Sequence, residues 1–183
     1  GPKRVAVAVA QDEVVLEALD IARQEKIATP LLFGEKKAIE EAAAKAKVSL
    51  SGWEITDLKD MAEASKAAVQ AVSSGKADFL MKGLVATSTF LKAVLDKEVG
   101  LRTGRLLSHV AVMQSPGYAK LLFVTDGGMC VKPDLPAKVD IVTNAVEVVR
   151  HLGIDTPKVA VLAAVEVLNP EMPETADAAE LSK

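Results

Sequence analysis

Aromatic residues and cysteines are scarce in this sequence. Only 3% of its 183 residues are aromatic although half are hydrophobic, so aliphatic side chains must build the core. That composition favours an α/β protein whose buried strands are rich in Val, Leu and Ile. Cys130 is the one cysteine, which excludes an internal disulfide and favours a reducing, cytoplasmic setting.

Excess positive charge and long apolar runs are also absent. The net charge is −3 and the pI about 5.5, which gives no support to a nucleic-acid partner. No run reaches the roughly 18 apolar residues that predict a membrane span. Metal-ligand spacing, a Walker loop and a dinucleotide-binding glycine motif are missing too. We therefore expect no membrane partner and no metal. Gly1-Pro2 resembles the remnant of a removed tag.

Short apolar runs alternate with segments of helical periodicity along the first hundred residues. This alternation predicts βαβ units and a largely parallel sheet flanked by helices. The predicted strands are 3–10, 28–34, 53–57 and 77–83. The predicted helices begin after Asp12 and after residue 34, and then span 60–74 and 86–95.

The later part of the chain predicts a change in architecture. The runs 106–113 and 120–126 are separated by a short turn, which predicts an antiparallel hairpin. A long helix (about 137–152) and a strand (158–165) follow a proline-containing boundary. We expect an N-terminal α/β domain over 3–133, and over 134–183 the start of a second α/β domain that is truncated.

The junction between the fourth strand and its helix carries a cluster of polar residues. Lys82-Gly83 ends the strand, where a glycine allows close main-chain approach or a positive φ, and Thr87, Ser88 and Thr89 begin the helix. Ligands of open α/β sheets bind beyond the carboxyl ends of the strands, and a helix N-terminus favours anions. The hydroxyls can equally cap the helix while Lys82 is solvated, and the residue pattern does not separate these two interpretations.

Residues 82–109 form a basic segment in an acidic chain, with five Lys or Arg residues against two acids. Arg102 and Arg105 lie beside two glycines, and the guanidinium fork suits phosphate oxygens. A solvated basic loop is the alternative. His109 is a weaker candidate as a general base, since a buried, hydrogen-bonded histidine explains it equally well.

Long blocks of the chain resemble the phosphate acetyl/butyryltransferase family, and most closely its butyryl branch. The resemblance covers essentially residues 3–183. It is carried by "VAVAVAQDE", "GKADFLMKGLVATSTFLKAVLDKEVGLRTGRLLSHVAV", "LLFVTD" and "KVAVLAAVEVLNPEMPETADAAELSK".

The resemblance implies the reaction butyryl-CoA + phosphate = butyryl phosphate + CoA. It implies coenzyme A as a substrate, no permanently bound cofactor, and a homo-oligomer. The implied architecture has two domains and resembles isocitrate and isopropylmalate dehydrogenases, with the active site in the cleft between domains. Relatives of this kind are longer and carry a Ser-Arg pair and an Asp near the C-terminus that this sequence lacks. The catalytic residues are therefore unknown, and we expect an N-terminal part without transferase activity on its own.

The resemblance also implies which residues bind phosphate or coenzyme A. Lys92 stands where the acetyl branch has an arginine, while Arg102, Arg105, Ser108 and His109 match a motif of the butyryl branch. The implied set is Lys82, Gly83, Thr87, Ser88, Thr89, Lys92, Arg102, Arg105, Ser108 and His109. Two alternatives remain: a non-catalytic module that binds coenzyme A or a nucleotide, and a decarboxylating dehydrogenase, which would need a nicotinamide and a metal.

Overall fold

The computed structural model describes residues 1–183, which separate into two compact units, Gly1–Thr103 and Gly104–Lys183. The first unit contains β1 (Lys3–Ala8), α1 (Glu13–Gln24), β2 (Ala28–Gly34), α2 (Lys36–Ala46), β3 (Glu54–Asp57), α3 (Met61–Ser73), β4 (Phe79–Lys82) and α4 (Thr87–Val94). The second unit contains β5 (Ala111–Gln114), β6 (Leu121–Val124), α5 (Leu135–His151) and α6 (Pro173–Leu181). The domain division between residues 133 and 134 stays a prediction.

A four-stranded parallel sheet in the order β3-β2-β1-β4 forms the centre of the first unit. β1 is central, and its residues from Val5 to Ala8 are at most 1% exposed. Such a strand must be apolar on both faces, which is why the run lacks alternation. The predicted α/β fold, with a mostly parallel sheet flanked by helices, is confirmed.

The side chains of β1 alternate between two hydrophobic clusters, as the two-residue period of a strand requires. Val5 and Val7 pack with residues of α1 and α2 on one face, including Leu16. Ala6 and Ala8 pack with the alanines of α3 and with Phe90 of α4 on the other face. The two helices that follow β1 and β4 therefore cover opposite faces of the sheet.

This arrangement creates a topological switch point at one end of the sheet. β2 and β3 follow β1 on one side of it. The chain then crosses the other face of the sheet and places β4 on the opposite side of β1. α1 and α4 leave the neighbouring ends of β1 and β4 toward opposite faces. In open α/β sheets such a topological switch point is where ligands bind.

The second unit contains the predicted hairpin. β5 and β6 pair antiparallel, from Ala111 opposite Val124 to Gln114 opposite Leu121. β5 begins five residues later than predicted because the preceding segment bonds to α5. The N–H of Leu106 donates to Asp140 (3.2 Å), and the Asn144 amide donates to the Leu106 carbonyl (2.8 Å).

The strand predicted over 158–165 is wrong, because those residues form no strand. Val159, Val161 and Leu162 are 55%, 40% and 88% exposed. A strand exists only when a neighbour accepts its main-chain hydrogen bonds, and β5 and β6 bond only to each other. None of the six helices combines the length and apolar character that crossing a membrane requires.

Candidate functional site

The loop between β4 and α4 (residues 83–86, the β4–α4 loop) lies directly against the end of β1. The N–H of Gly83 donates to the Ala8 carbonyl and that of Leu84 to the Val9 carbonyl, both at 2.8 Å. A Cβ on residue 83 would overlap the Val9 oxygen and lie 2.8 Å from the Ala8 oxygen. Only glycine permits this approach, as the sequence analysis predicted for Gly83.

Val9 adopts an unusual main-chain conformation beside this loop. Its φ is 58°, in the left-handed region, although Val is β-branched and the residue is fully buried. Such a conformation costs about 1–3 kcal/mol and persists only where the surroundings enforce it. Here it accompanies the bond from Leu84 to the Val9 carbonyl, so the turn after β1 and the β4–α4 loop are held together.

Lys82 is bonded to the loop that follows it. Its Nζ donates to the carbonyl of Val85 at 2.9 Å and to that of Gly83 at 3.2 Å. Lys82 is nevertheless exposed, so whether it serves only as a solvated charge or binds a ligand stays a prediction. The charged group lies at the carboxyl end of β4, as expected, but two of its three hydrogens already have partners within the loop.

The start of α4 lacks any side-chain cap. Its N-cap residue is Ala86, and the hydroxyls of Thr87, Ser88 and Thr89 cap nothing. The interpretation in which they only cap the helix is therefore wrong. The first main-chain N–H groups of a helix have no partner within it, so those of Thr87–Thr89 remain free.

The other three helices of the first unit each begin beside a carboxylate that accepts a main-chain hydrogen bond. Asp12 accepts from Val15 of α1 at 3.1 Å, and Asp60 accepts from Ala62 and Glu63 of α3. Asp57 accepts from the first residue of α2 at 2.9 Å. A carboxylate would repel a bound anion, so α4 is the helix start in this unit that suits one.

Lys92 and Arg102 have no ion-pair partner in the structure. Lys92 lies exposed in the last turn of α4, and Arg102 lies exposed after a tightly bonded turn. In that turn Asp96 accepts from the N–H groups of Val99 (3.1 Å) and Glu98 (2.8 Å). These bonds hold the pKa of Asp96 below its usual range, with a smaller contribution from the nearby Lys66 ammonium.

Arg105, Ser108 and His109 belong to the second unit and have different surroundings. Arg105 makes a two-pronged ion pair with Glu147 of α5, at 2.8 and 2.7 Å. Those hydrogen bonds raise the pKa of Arg105 and lower that of Glu147. Ser108 accepts a hydrogen bond from Asn144 at 3.0 Å. The His109 ring is exposed and makes no hydrogen bond, so the buried alternative is wrong.

Cys130 is held next to Asp126. The Cys130 N–H donates to Asp126 at 2.8 Å, the thiol lies 3.7 Å from the Leu107 carbonyl oxygen, and the neighbouring Asp126 carboxylate raises the pKa of Cys130. Partial burial works against ionisation of Asp126, but this thiol and the main-chain N–H groups of three residues keep its pKa below the usual range. The pair therefore disfavours the thiolate that a nucleophile needs.

The structure thus brings Lys82, Gly83 and Thr87–Thr89 together at one end of the sheet. Arg102 is the next-to-last residue of the first unit, and three predicted residues, Arg105, Ser108 and His109, lie in the second. Sequence reasoning missed Val9, because nothing in a run of Val and Ala signals a left-handed residue. It also missed Gln11, whose buried Oε1 lies over Gly34 without a hydrogen-bond partner. Gly34, at the end of β2, was the signal in the sequence for this close approach of the Gln11 side chain.

Comparison with known proteins assigns the chain to a family. The family described as phosphate acetyl/butaryl transferase matches residues 1–68 and 58–183, which together span the whole chain. The chain belongs to this family. The resemblance stated from the sequence motifs is therefore confirmed.

Several members of the phosphate acetyl/butaryl transferase family are similar to the chain over nearly all of its length. It is 53% identical over 181 residues to the phosphate butyryltransferase of Clostridium beijerinckii, covering 99% of this chain and 60% of that protein. It is 42% identical to the phosphate acetyltransferase of Thermotoga maritima, covering 99% and 61%. The chain therefore spans about three fifths of the length of these relatives.

A solved family structure has the same fold. The branched-chain phosphotransacylase of Enterococcus faecalis V583 superimposes with a TM-score of 0.84 at 30% identity, covering 98% of this chain and 62% of that one. The α/β fold is therefore shared with a phosphotransacylase.

Proposed function

We propose that this chain forms the N-terminal part of an acyltransferase that exchanges coenzyme A and phosphate on a short-chain acyl group. The reaction is butyryl-CoA + phosphate = butyryl phosphate + CoA. The observation that carries the proposal is the free, carboxylate-free first turn of α4, in a chain whose whole length matches this family. Its identity to named phosphate butyryltransferases favours a butyryl group over an acetyl group.

The first turn of α4 is the proposed phosphate subsite. Three free N–H groups and the positive end of the helix dipole lie there, the first three helical residues carry hydroxyls, and no acidic cap competes. Arg102 and Arg105 are proposed to bind phosphate or the phosphates of coenzyme A. To bind a phosphate, the Arg105 guanidinium must release the Glu147 carboxylate with which it is paired.

Chemistry at this site requires positioning rather than a covalent enzyme intermediate. A phosphate oxygen attacks the thioester carbonyl, a tetrahedral oxyanion forms, the carbon–sulfur bond breaks, and coenzyme A leaves as its thiolate. Donors and cations that hold phosphate in line and stabilise the oxyanion supply the rate enhancement. Lys92, Ser108 and His109 remain proposed members of the binding set.

The larger assembly is also part of the proposal. We propose a two-domain architecture like that of isocitrate and isopropylmalate dehydrogenases, divided between residues 133 and 134, in a cytoplasmic homo-oligomer. The exposed apolar side chains of 158–168 support further packing partners for the second unit.

Release of coenzyme A thiol from butyryl-CoA, with and without phosphate, tests the function. We expect the 183-residue chain to bind phosphate and coenzyme A without releasing thiol. We expect phosphate-dependent release from a chimera in which the remaining C-terminal part of the Clostridium beijerinckii enzyme follows this chain, and much less from the same chimera with Arg102→Ala. An inactive chimera that still binds coenzyme A would favour the non-catalytic module. Failure to bind either ligand would overturn the proposal.

A further inference from the structure

We propose that Lys82 is a positioning residue: it holds the β4–α4 loop so that α4 presents its free N–H groups, and it does not itself contact phosphate. The inference rests on the proposed phosphate subsite. It replaces the role that the sequence resemblance implies for Lys82, which is direct binding of phosphate or coenzyme A.

The Lys82 ammonium directs most of its hydrogens into its own loop. An ammonium group has three donors, and Lys82 commits two of them to the carbonyls of Gly83 and Val85. A third donor remains, but the group is anchored within its own loop by two bonds of 3.2 and 2.9 Å. A lysine that binds a ligand as a mobile point charge would keep its stem free instead.

The bond from Lys82 also sets the direction of the peptide unit between Val85 and Ala86. In a trans peptide unit the carbonyl and the N–H point in opposite directions. When Lys82 binds the Val85 carbonyl, the N–H of Ala86 must point away from the ammonium. That N–H donates to no other main-chain or side-chain group, and it directly precedes the free donors of α4. Lys82 therefore fixes which side of this peptide faces outward.

The other N–H groups of the loop already have main-chain partners. The N–H groups of Gly83 and Leu84 donate to β1 and the turn after it, and that of Val85 donates to the Gly83 carbonyl at 3.0 Å. The peptide between Val85 and Ala86 is thus the one whose direction depends on Lys82. If it turned over, the Val85 carbonyl oxygen would face the anion and repel it.

Inorganic phosphate, titrated into the 15N-labelled 183-residue chain, tests this role by amide NMR. In the unaltered chain we expect saturable shifts of the Ala86–Thr89 amide signals. With Lys82→Met we expect at least a tenfold higher Kd for phosphate. Even without phosphate, the Leu84–Ala86 signals should be displaced and their hydrogen exchange should be faster. Lys59→Met is the matched control, because it removes one exposed lysine charge from the loop after β3.

The Lys82 side-chain signal gives a second test that needs no variant. We expect a slowly exchanging Nζ resonance that phosphate leaves in place. Weaker binding by Lys82→Met with undisturbed loop amides, or a large shift of the Nζ signal on saturation, would make Lys82 a direct ligand and overturn the inference. Unchanged binding would overturn it as well. Absence of shifts at Ala86–Thr89 in the unaltered chain would instead remove the phosphate subsite itself.

Discussion

Arg4 and Asp78 join the first and fourth strands at the end of the sheet opposite the candidate site. The Asp78 carboxylate accepts from the Arg4 main-chain N–H (2.7 Å), Nε (3.1 Å) and Nη2 (3.1 Å). The Asp78 N–H in turn donates to the Arg4 carbonyl at 2.8 Å. These four bonds hold the register in which β4 lies beside β1, and that pairing creates the topological switch point at the other end of the sheet.

We predict that this pair makes stability depend on acid pH. The side-chain and main-chain bonds from Arg4 lower the pKa of Asp78 to about 2. Since the folded pKa lies below the unfolded value, the contribution is complete above about pH 4 and is lost as the pH falls toward 2. Asp78→Asn should therefore lower the melting temperature at pH 7 and flatten its decline between pH 4 and pH 2.

Circular dichroism melts over that pH range measure the effect. Asp155→Asn removes an exposed carboxylate whose side chain accepts no hydrogen bond, and it should leave the curve unchanged. A parallel decline in Asp78→Asn and the unaltered chain would show that other acids cause the acid sensitivity.

The contact between Gly83 and the Val9 carbonyl gives a second prediction. Gly83→Ala places a methyl group inside that oxygen, and both partners are main-chain atoms that cannot rotate aside. We expect a loss of about 1–3 kcal/mol in the free energy of unfolding, the range for overpacking. Urea denaturation measures it. Gly127→Ala is the control, since a Cβ there meets nothing within 4 Å; equal effects in both variants would refute the steric explanation.

The third prediction concerns the thiol of Cys130. The carboxylate of Asp126 raises the pKa of this thiol, so Asp126→Asn should return the pKa toward its usual value. More thiolate would then be present at pH 8, and alkylation by iodoacetamide should be severalfold faster. Because the chain has one cysteine, the rate reports that thiol alone. A pH–rate profile identical in both proteins would show that Asp126 does not raise the pKa of this thiol.

Much of the first unit could be predicted because its signals are local. An apolar run without alternation indicated β1, and Asp12 stood immediately before a helical period that it does cap. The order of strands and helices follows from such short segments together with the handedness of βαβ connections. The glycine after β4 likewise indicated a close main-chain approach.

What could not be predicted depends on groups distant in the sequence. Residues 158–165 have the composition of a strand, but whether they form one depends on a neighbouring strand to pair with. The partner of Arg105 lies 42 residues away on α5, and no pattern in the sequence links them. The two loop carbonyls that Lys82 binds and the left-handed conformation at Val9 beside that loop likewise have no signal in the sequence.

The ion pair of Arg105 and Glu147 leads to a prediction about phosphate affinity. If Arg105 binds phosphate, Glu147 competes with that phosphate for the same guanidinium. Glu147→Gln should then lower the Kd for phosphate, because it removes the competing charge. Arg105→Ala and Arg102→Ala should each raise the Kd roughly tenfold to a hundredfold, the range expected for charge-assisted hydrogen bonds.

Isothermal titration of the purified chain with phosphate measures all three variants. Arg23→Ala is the matched control, because it breaks a comparable exposed ion pair with Asp20 within α1. An exposed ion pair contributes little to stability, so none of these changes should unfold the chain. If Glu147→Gln and Arg105→Ala both leave the affinity unchanged, the pair serves only to attach the segment before β5 to α5. Phosphate binding in the first unit would then depend on Arg102 and the start of α4.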